Sequence, residues 1–307
     1  MQAVVVGASG FIGSHLVDGL LQHGYRVKAL ARHLPGLIGS TAQVHPDLSL
    51  IPMDMADGLA IQEAFAGADV VFHLASGSLP QSSNRDPQAD VQVNLMGALK
   101  LLEAARQAQV QRFVMVSSGG TVYGDPQHVP ITETHPTDPT CSYGICKLAI
   151  EKYVALYRQL HGLDGVVLRV ANPFGERQRL DATQGVVPVF LGKALRGEPL
   201  QIWGDGSTVR DFLYISDVVG ALLAAAHYTG EEHLFNVGSG EGLSLNQLVS
   251  LLEVELQQSI AVEYLPSRPF DVATNVLSIE RAKRCLGWSP QVPVAEGLHR
   301  LCSSLSG

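Results

Sequence analysis

An α/β fold with a doubly wound parallel sheet and a smaller C-terminal lobe is predicted by three features of the 307-residue sequence. Short β-rich runs alternate with longer helical patterns through the first half, the signature of βαβ units. Those runs are nearly continuous in apolar character, as strands buried on both faces must be. From Asn172 onward, "NPFGERQR", "RGEPL", "WGDGS" and "SRPF" break the chain into short elements, the mark of a lobe of loops, short strands and helices.

Taken in order, "AVVVGA" (3–8), "YRVKALA" (25–31), "LSLIPMD" (48–54), "DVVFHLA" (69–75), "RFVMVSS" (112–118) and "GVVLRVA" (165–171) read as six buried strands. Ile12, Leu16, Leu20 and Leu21 form one helical stripe, and Val91, Leu95, Ala98, Leu99, Leu102 and Ala105 another. "SYGICKLAIEKY" (142–153) continues a helical pattern through Leu148, Tyr153 and Leu156, which puts Tyr143 and Lys147 at the start of a helix. The expected division is residues 1–171, receiving a strand and helix from about 208–235, and a lobe formed mainly by 172–307.

Composition narrows the function. A net charge of -8 and a pI near 5.7 argue against nucleic acid, whose binding needs a basic surface to displace counterions. Cys141, Cys146, Cys285 and Cys302 form no CxxC pair and have no histidines at zinc-like spacing, so free thiols and no metal site are expected. With no basic n-region and no run of eighteen apolar residues, the chain reads as a cytoplasmic protein without a membrane span.

"VVVGASGFIGSHLVDGLLQHG" places Gly7, Gly10 and Gly13 between the first strand and the first helix. Glycine permits the tight turn and the close approach of backbone to a pyrophosphate, which then rests on the helix N-terminus. In this position the GxxGxxG run is a dinucleotide fingerprint, making the fold Rossmann-type. The second strand ends in Ala31 and Arg32 where an acid would take a ribose 2′-hydroxyl. Arg32 could pair instead with a 2′-phosphate, or be a solvated side chain, so NAD and NADP both stand. Tyr143 and Lys147 share a helix face at i, i+4, a spacing that alone does not separate an acid-base couple from two polar neighbours.

The ordered series "GASGFIG" (7–13), "MDMAD" (53–57), "FHLA" (72–75), Asn94, "VSSGGTVYG" (116–124), Tyr143/Lys147, "RVANPFGERQ" (169–178), "WGDGSTVRDFLYISDV" (203–218), "NVGSG" (236–240) and "SRPFD" (267–271) resembles the extended short-chain dehydrogenase/reductases. Within them it is most similar to the NAD-dependent nucleotide-sugar epimerase/dehydratase group typified by UDP-glucose 4-epimerase. The resemblance implies that Gly7, Gly10, Phe11, Ile12 and Gly13 meet the cofactor, with Asp54 and Met55 at its adenine and Leu74 and Ala75 near its phosphates and ribose. Asn94 would order the site. Asn172 would contact the nucleotide sugar, Val187 and Trp203 would lie near its base, Arg210 and Arg268 would hold the diphosphate, and Asp271 would take a sugar hydroxyl. A homodimer through the helices at about 90–108 and 142–161 is also implied.

The implied reaction is transient oxidation at carbon 4. Tyr143 removes the hydroxyl proton while hydride passes to the nicotinamide, and Lys147 favours the phenolate and bonds the ribose. A loosely held 4-ketose turns over, and hydride returns to its other face. Many relatives place Ser or Thr four residues before the tyrosine of "VYG", where this chain has Gly119. Ser118 is the expected replacement and Thr121 the second. Gly120 and Thr121 stand where dehydratases carry an acidic pair, which disfavours 4,6-dehydration. The expectation is an NAD-dependent nucleotide-sugar 4-epimerase, acting on UDP-glucose/UDP-galactose or N-acetylated equivalents for surface polysaccharide. An NADPH-dependent keto-sugar nucleotide reductase and a non-catalytic dinucleotide-binding protein are the alternatives.

Overall fold

A computed structural model describes residues 1–32, 45–55, 57–78, 83–181, 185–268 and 272–305. Its strands are β1 (Gln2–Val6), β2 (Arg26–Ala31), β3 (Leu48–Pro52), β4 (Val70–His73), β5 (Arg112–Ser118), β6 (Gly165–Val170), β7 (Asn172–Phe174), β8 (Leu200–Trp203), β9 (Val209–Arg210), β10 (Phe212–Tyr214), β11 (Leu234–Val237), β12 (Leu243–Ser244), β13 (Val262–Leu265) and β14 (Thr274–Asn275). The helices are α1 (Phe11–Gln22), α2 (Gly58–Phe65), α3 (Pro87–Asp90), α4 (Met96–Gln107), α5 (Ser142–His161), α6 (Val186–Leu195), α7 (Ile215–His227), α8 (Leu245–Leu256) and α9 (Val294–Leu305). A π-helical turn, Val91–Leu95, joins α3 to α4.

Seven strands form one sheet in the order β11-β6-β5-β4-β1-β2-β3, and every pair in it is parallel. Strand order reverses beside β1, which pairs with β2 on one side and β4 on the other. At such a switch point the loops leaving the strand ends diverge and open a crevice. One face of the sheet is covered by a core that includes Leu16, Leu20, Leu222 and Ala225, and the other by Ile61, Phe65, Leu102, Ile150 and Val154. Truncating such a leucine to alanine costs about 2–5 kcal/mol, so both faces are tightly constrained.

The six predicted strands all form, though "AVVVGA" ends at Val6 because Gly7 already turns the chain with φ +92°. Within 208–235, the short strand β10 pairs with β7 outside the main sheet, while α7 packs on α1 and leads into β11 at the sheet edge. Three residues of the predicted apolar stripes are exposed: Val91 and Leu156 at 40% and Tyr153 at 36%. Together with exposed Met96, Ile145 and Leu160 they leave an apolar surface on α4, α5 and the turn between α3 and α4. Among the described residues no helix is long and apolar enough to cross a membrane.

Candidate active site

The glycine turn is built by exclusion. A Cβ on Gly7 would lie 2.7 Å from the Ala75 nitrogen, and one on Gly13 only 2.2 Å from the Gly7 oxygen. Neither position tolerates a side chain. Gly10 is the α1 N-cap, no side chain caps the helix there, and its first turn carries no acidic residue, which leaves the helix N-terminus suited to an anion. Gly7, Gly10, Ala31, Arg32, Asp54, Met55, Leu74 and Ala75 line one cavity of about 290 Å³, joined by Ser76, Gly77 and Val93, which sequence reasoning missed. The residues present suit the phosphates of a dinucleotide: bare glycine backbone and an uncapped helix N-terminus without an acidic residue border the cavity. Asn94 is buried and holds the wall of the cleft. Its Oδ1 accepts from the Gly77 amide at 2.8 Å, and its Nδ2 donates to Ser78 Oγ and Asp90 Oδ1.

A second cavity, about 420 Å³, brings Phe11 and Ile12 of the same helix start together with Ser118, Thr121, Tyr143, Asn172 and Val187. Tyr143 is half-buried, and desolvation, with smaller contributions from Cys141 and Asp90, pushes its phenol up to about 12. Lys147 is buried and donates to the Val116 carbonyl at 3.0 Å. Burial brings its ammonium down to about 8 against the pull of the Glu151 and Asp90 carboxylates. Its Nζ lies 5.7 Å from the Tyr143 ring centroid, so the i, i+4 pair does converge.

The start of the Tyr143 helix is capped from outside. Cys141 offers no side-chain cap; instead Ser142 N donates to Asn84 Oδ1 at 2.9 Å, Tyr143 N donates to Ser83 Oγ at 3.0 Å, and Ser142 Oγ donates to Asp90 Oδ2 at 2.6 Å. These partners stand more than fifty residues upstream, and no local signal announces them. Thr121 Oγ1 and Gln178 Oε1 are buried at the second cavity without a hydrogen-bond partner in the protein, so each is free to bond a ligand. Gly119 also has a steric reason: a Cβ there would meet Leu277 Cδ1 at 2.5 Å.

The lobe residues are spread more widely. Asn172 Nδ2 donates to the Asp211 carbonyl at 2.9 Å, next to Arg210 on β9. Val187 is buried in the core at the start of α6 and lines the cavity that holds Tyr143. Trp203 is exposed, and the Arg268 guanidinium stacks 3.9 Å from its ring centroid. Trp203, Arg210 and Arg268 lie outside both cavities; Asp271 lies outside the described residues. Among the described residues no cluster of His, Cys, Asp and Glu could hold a metal ion.

Comparison with known proteins gives this geometry a family. The chain is 37% identical over 301 residues to UDP-glucose 4-epimerase of Mycolicibacterium smegmatis, covering 97% of this chain and 96% of that protein. The crystal structure of UDP-glucose 4-epimerase with UDP-glucose from Thermotoga maritima superposes with a TM-score of 0.93 at 36% identity, over 100% of this chain and 99% of that one. The Thermus thermophilus UDP-glucose 4-epimerase complex with NAD gives 0.90 at 33% identity, with the same coverage. The model of the NAD dependent epimerase/dehydratase family matches residues 3–238, and the chain belongs to that family.

Proposed function

We propose that the protein is an NAD-dependent nucleotide-sugar 4-epimerase. The observation that carries this reading is the shared cavity in which Tyr143, Ser118, Thr121 and Asn172 meet the start of the glycine-turn helix. When bound, the nicotinamide ring supplies a reversible hydride acceptor. Tyr143 takes the proton from the sugar 4-hydroxyl and later returns it. Its phenol lies far above neutral pH in the bare site, so the reaction depends on cationic charge beside it, which Lys147 provides in part. Ser118 and Thr121 hold the reacting sugar oxygen, the unpartnered Thr121 hydroxyl being suited to that bond.

In the same reading, Gly7, Gly10, Phe11, Ile12 and Gly13 cradle the pyrophosphate, Asp54 and Met55 flank the adenine, and Leu74 and Ala75 lie along the phosphates and ribose. Asn172 contacts the nucleotide sugar, Val187 and Trp203 lie toward its base, Arg210 and Arg268 hold its diphosphate, and Asp271 serves a sugar hydroxyl. Residues 172–307 then serve mainly as the nucleotide-sugar lobe, leaving the sugar itself loosely held. The uncovered apolar surface on α4 and α5 supports a homodimer through those helices. A cytoplasmic role in supplying sugars for surface polysaccharide accords with this chemistry. NAD is favoured by the cofactor in the Thermus thermophilus complex. Arg32, at the rim of the first cavity with no carboxylate at the end of β2, supports NADP and a keto-sugar nucleotide reductase as the second reading.

Mass spectrometry of ligand released from the purified protein, with a UDP-sugar interconversion assay, tests this directly. Bound NAD and interconversion without net change in nicotinamide absorbance are expected. Released NADP, stoichiometric consumption of NADPH and no epimerised sugar would overturn the epimerase reading.

A further inference from the structure

The chemistry above makes no use of a buried ion pair behind the Tyr143 helix. The Arg169 and Glu151 side chains are 3% and 6% exposed. Arg169 Nη2 donates to Glu151 Oε2 at 2.6 Å, and its Nε donates to both carboxylate oxygens at 3.1 and 3.2 Å. Removing two charges from water is expensive, and apolar residues of similar size often join two elements at less cost. A pair retained here should therefore serve something besides adhesion.

Its surroundings indicate what. Ser117 Oγ donates to the same Glu151 carboxylate, while Lys147, one turn earlier on α5, donates to the carbonyl of Val116. Two consecutive residues of β5 thus hold two side chains at i, i+4 on α5, and the next residue, Ser118, lines the cavity with Tyr143. A slip of helix against strand would break both bonds. From the far side, the Arg169 guanidinium lies 4.6 Å from the Tyr123 ring centroid, and the Tyr123 hydroxyl donates to Asn236, so the pair is braced by the core.

We infer that Glu151, clamped by Arg169 and Ser117, is a positioning residue that keeps Lys147 in place as a cation beside Tyr143. What the cation is used for rests on the epimerase reading; its placement does not. Lys147 is faced by Tyr143, Cys146 and Glu151 on its own helix, by Asp90 on α3 and by His73 on β4, with Arg169 behind Glu151. His73 is kept uncharged by complete burial, its imidazole held down at about 3. Glu151 is the strongest of the groups opposing the desolvation of Lys147.

The test is lysine-selective 13C NMR of the cofactor-free protein, whose six lysines allow Lys147 to be assigned by its loss in Lys147→Met. In wild type the Lys147 signal should titrate at about pH 8. Glu151→Gln should lower that midpoint by about one unit, and Glu151→Asp should restore most of it. Because Glu151→Gln strands the Arg169 charge, the double variant Glu151→Gln/Arg169→Gln, which buries no lone charge, gives a second reading in the same direction. The alkaline limb of the kcat profile, where the cation is lost, should move with the midpoint while KM for the nucleotide sugar stays within about twofold, since no substrate contact is removed. A folded variant whose Lys147 midpoint does not move overturns the inference, even if epimerase activity falls. A moved midpoint in a protein that epimerises nothing sustains it and removes the epimerase reading alone.

Discussion

Replacing Lys147 with methionine should make the cofactor-free protein more stable at neutral pH. Lys147 is 4% exposed, and burial brings it from 10.5 to about 8. At about 1.4 kcal/mol per unit, that fall represents roughly 3 kcal/mol of stability forgone wherever the lysine is charged in both states. The sign follows from proton counts. Between about pH 8 and 10.5 the unfolded chain keeps a proton that the folded protein has released, so stability rises with pH across that window, and the full cost is present below it. Methionine abolishes the cost but leaves the Val116 carbonyl without its donor, which returns about 1 kcal/mol. The variant should therefore be about 2 kcal/mol more stable at pH 7 and about 1 kcal/mol less stable above the window. Urea unfolding of both proteins at a series of pH values measures the difference, in which the other titrating groups cancel. A variant less stable at neutral pH, or a difference that stays flat with pH, would refute the reasoning.

Gly13→Ala should unfold the turn, its Cβ falling 2.2 Å from the Gly7 oxygen, whereas Gly10→Ala meets only that oxygen at 3.2 Å and should keep its melting temperature while losing cofactor; thermal unfolding and isothermal titration with NAD separate the two. Tyr143→Phe should lower kcat by about 10²–10⁴-fold with cofactor content and melting temperature unchanged, as read by steady-state kinetics and calorimetry. Gly119→Ser should cost about 1–3 kcal/mol by crowding Leu277 and should not raise kcat, whereas Thr121→Ala should lower kcat without loss of stability; a faster Gly119→Ser enzyme would show that the hydroxyl belongs at 119.

How far the molecule could be read from its residues depended on how local each constraint is. Runs such as "FVMV" must be buried on both faces wherever they lie, so six strands were legible; β11 is only "LFNV", and its place at the sheet edge depends on α7 docking against α1. The glycine turn was legible because a Cβ is excluded by the backbone of its own turn and of the adjoining β4 loop. The environment of Tyr143 was not, because its helix is capped by Ser83 and Asn84 from a distant segment, and Lys147 is balanced by a carboxylate whose partner, Arg169, sits inside the strand "GVVLRV". A charged residue in a buried strand is itself a signal: its cost implies a partner, though not which one. The apolar stripes show the complementary limit. Periodicity identified Val91, Tyr153 and Leu156 as members of apolar faces, and this chain leaves all three exposed. A pattern of burial specifies that a face is to be covered, and nothing in a single chain's periodicity distinguishes a cover supplied by its own fold from one supplied by a second copy.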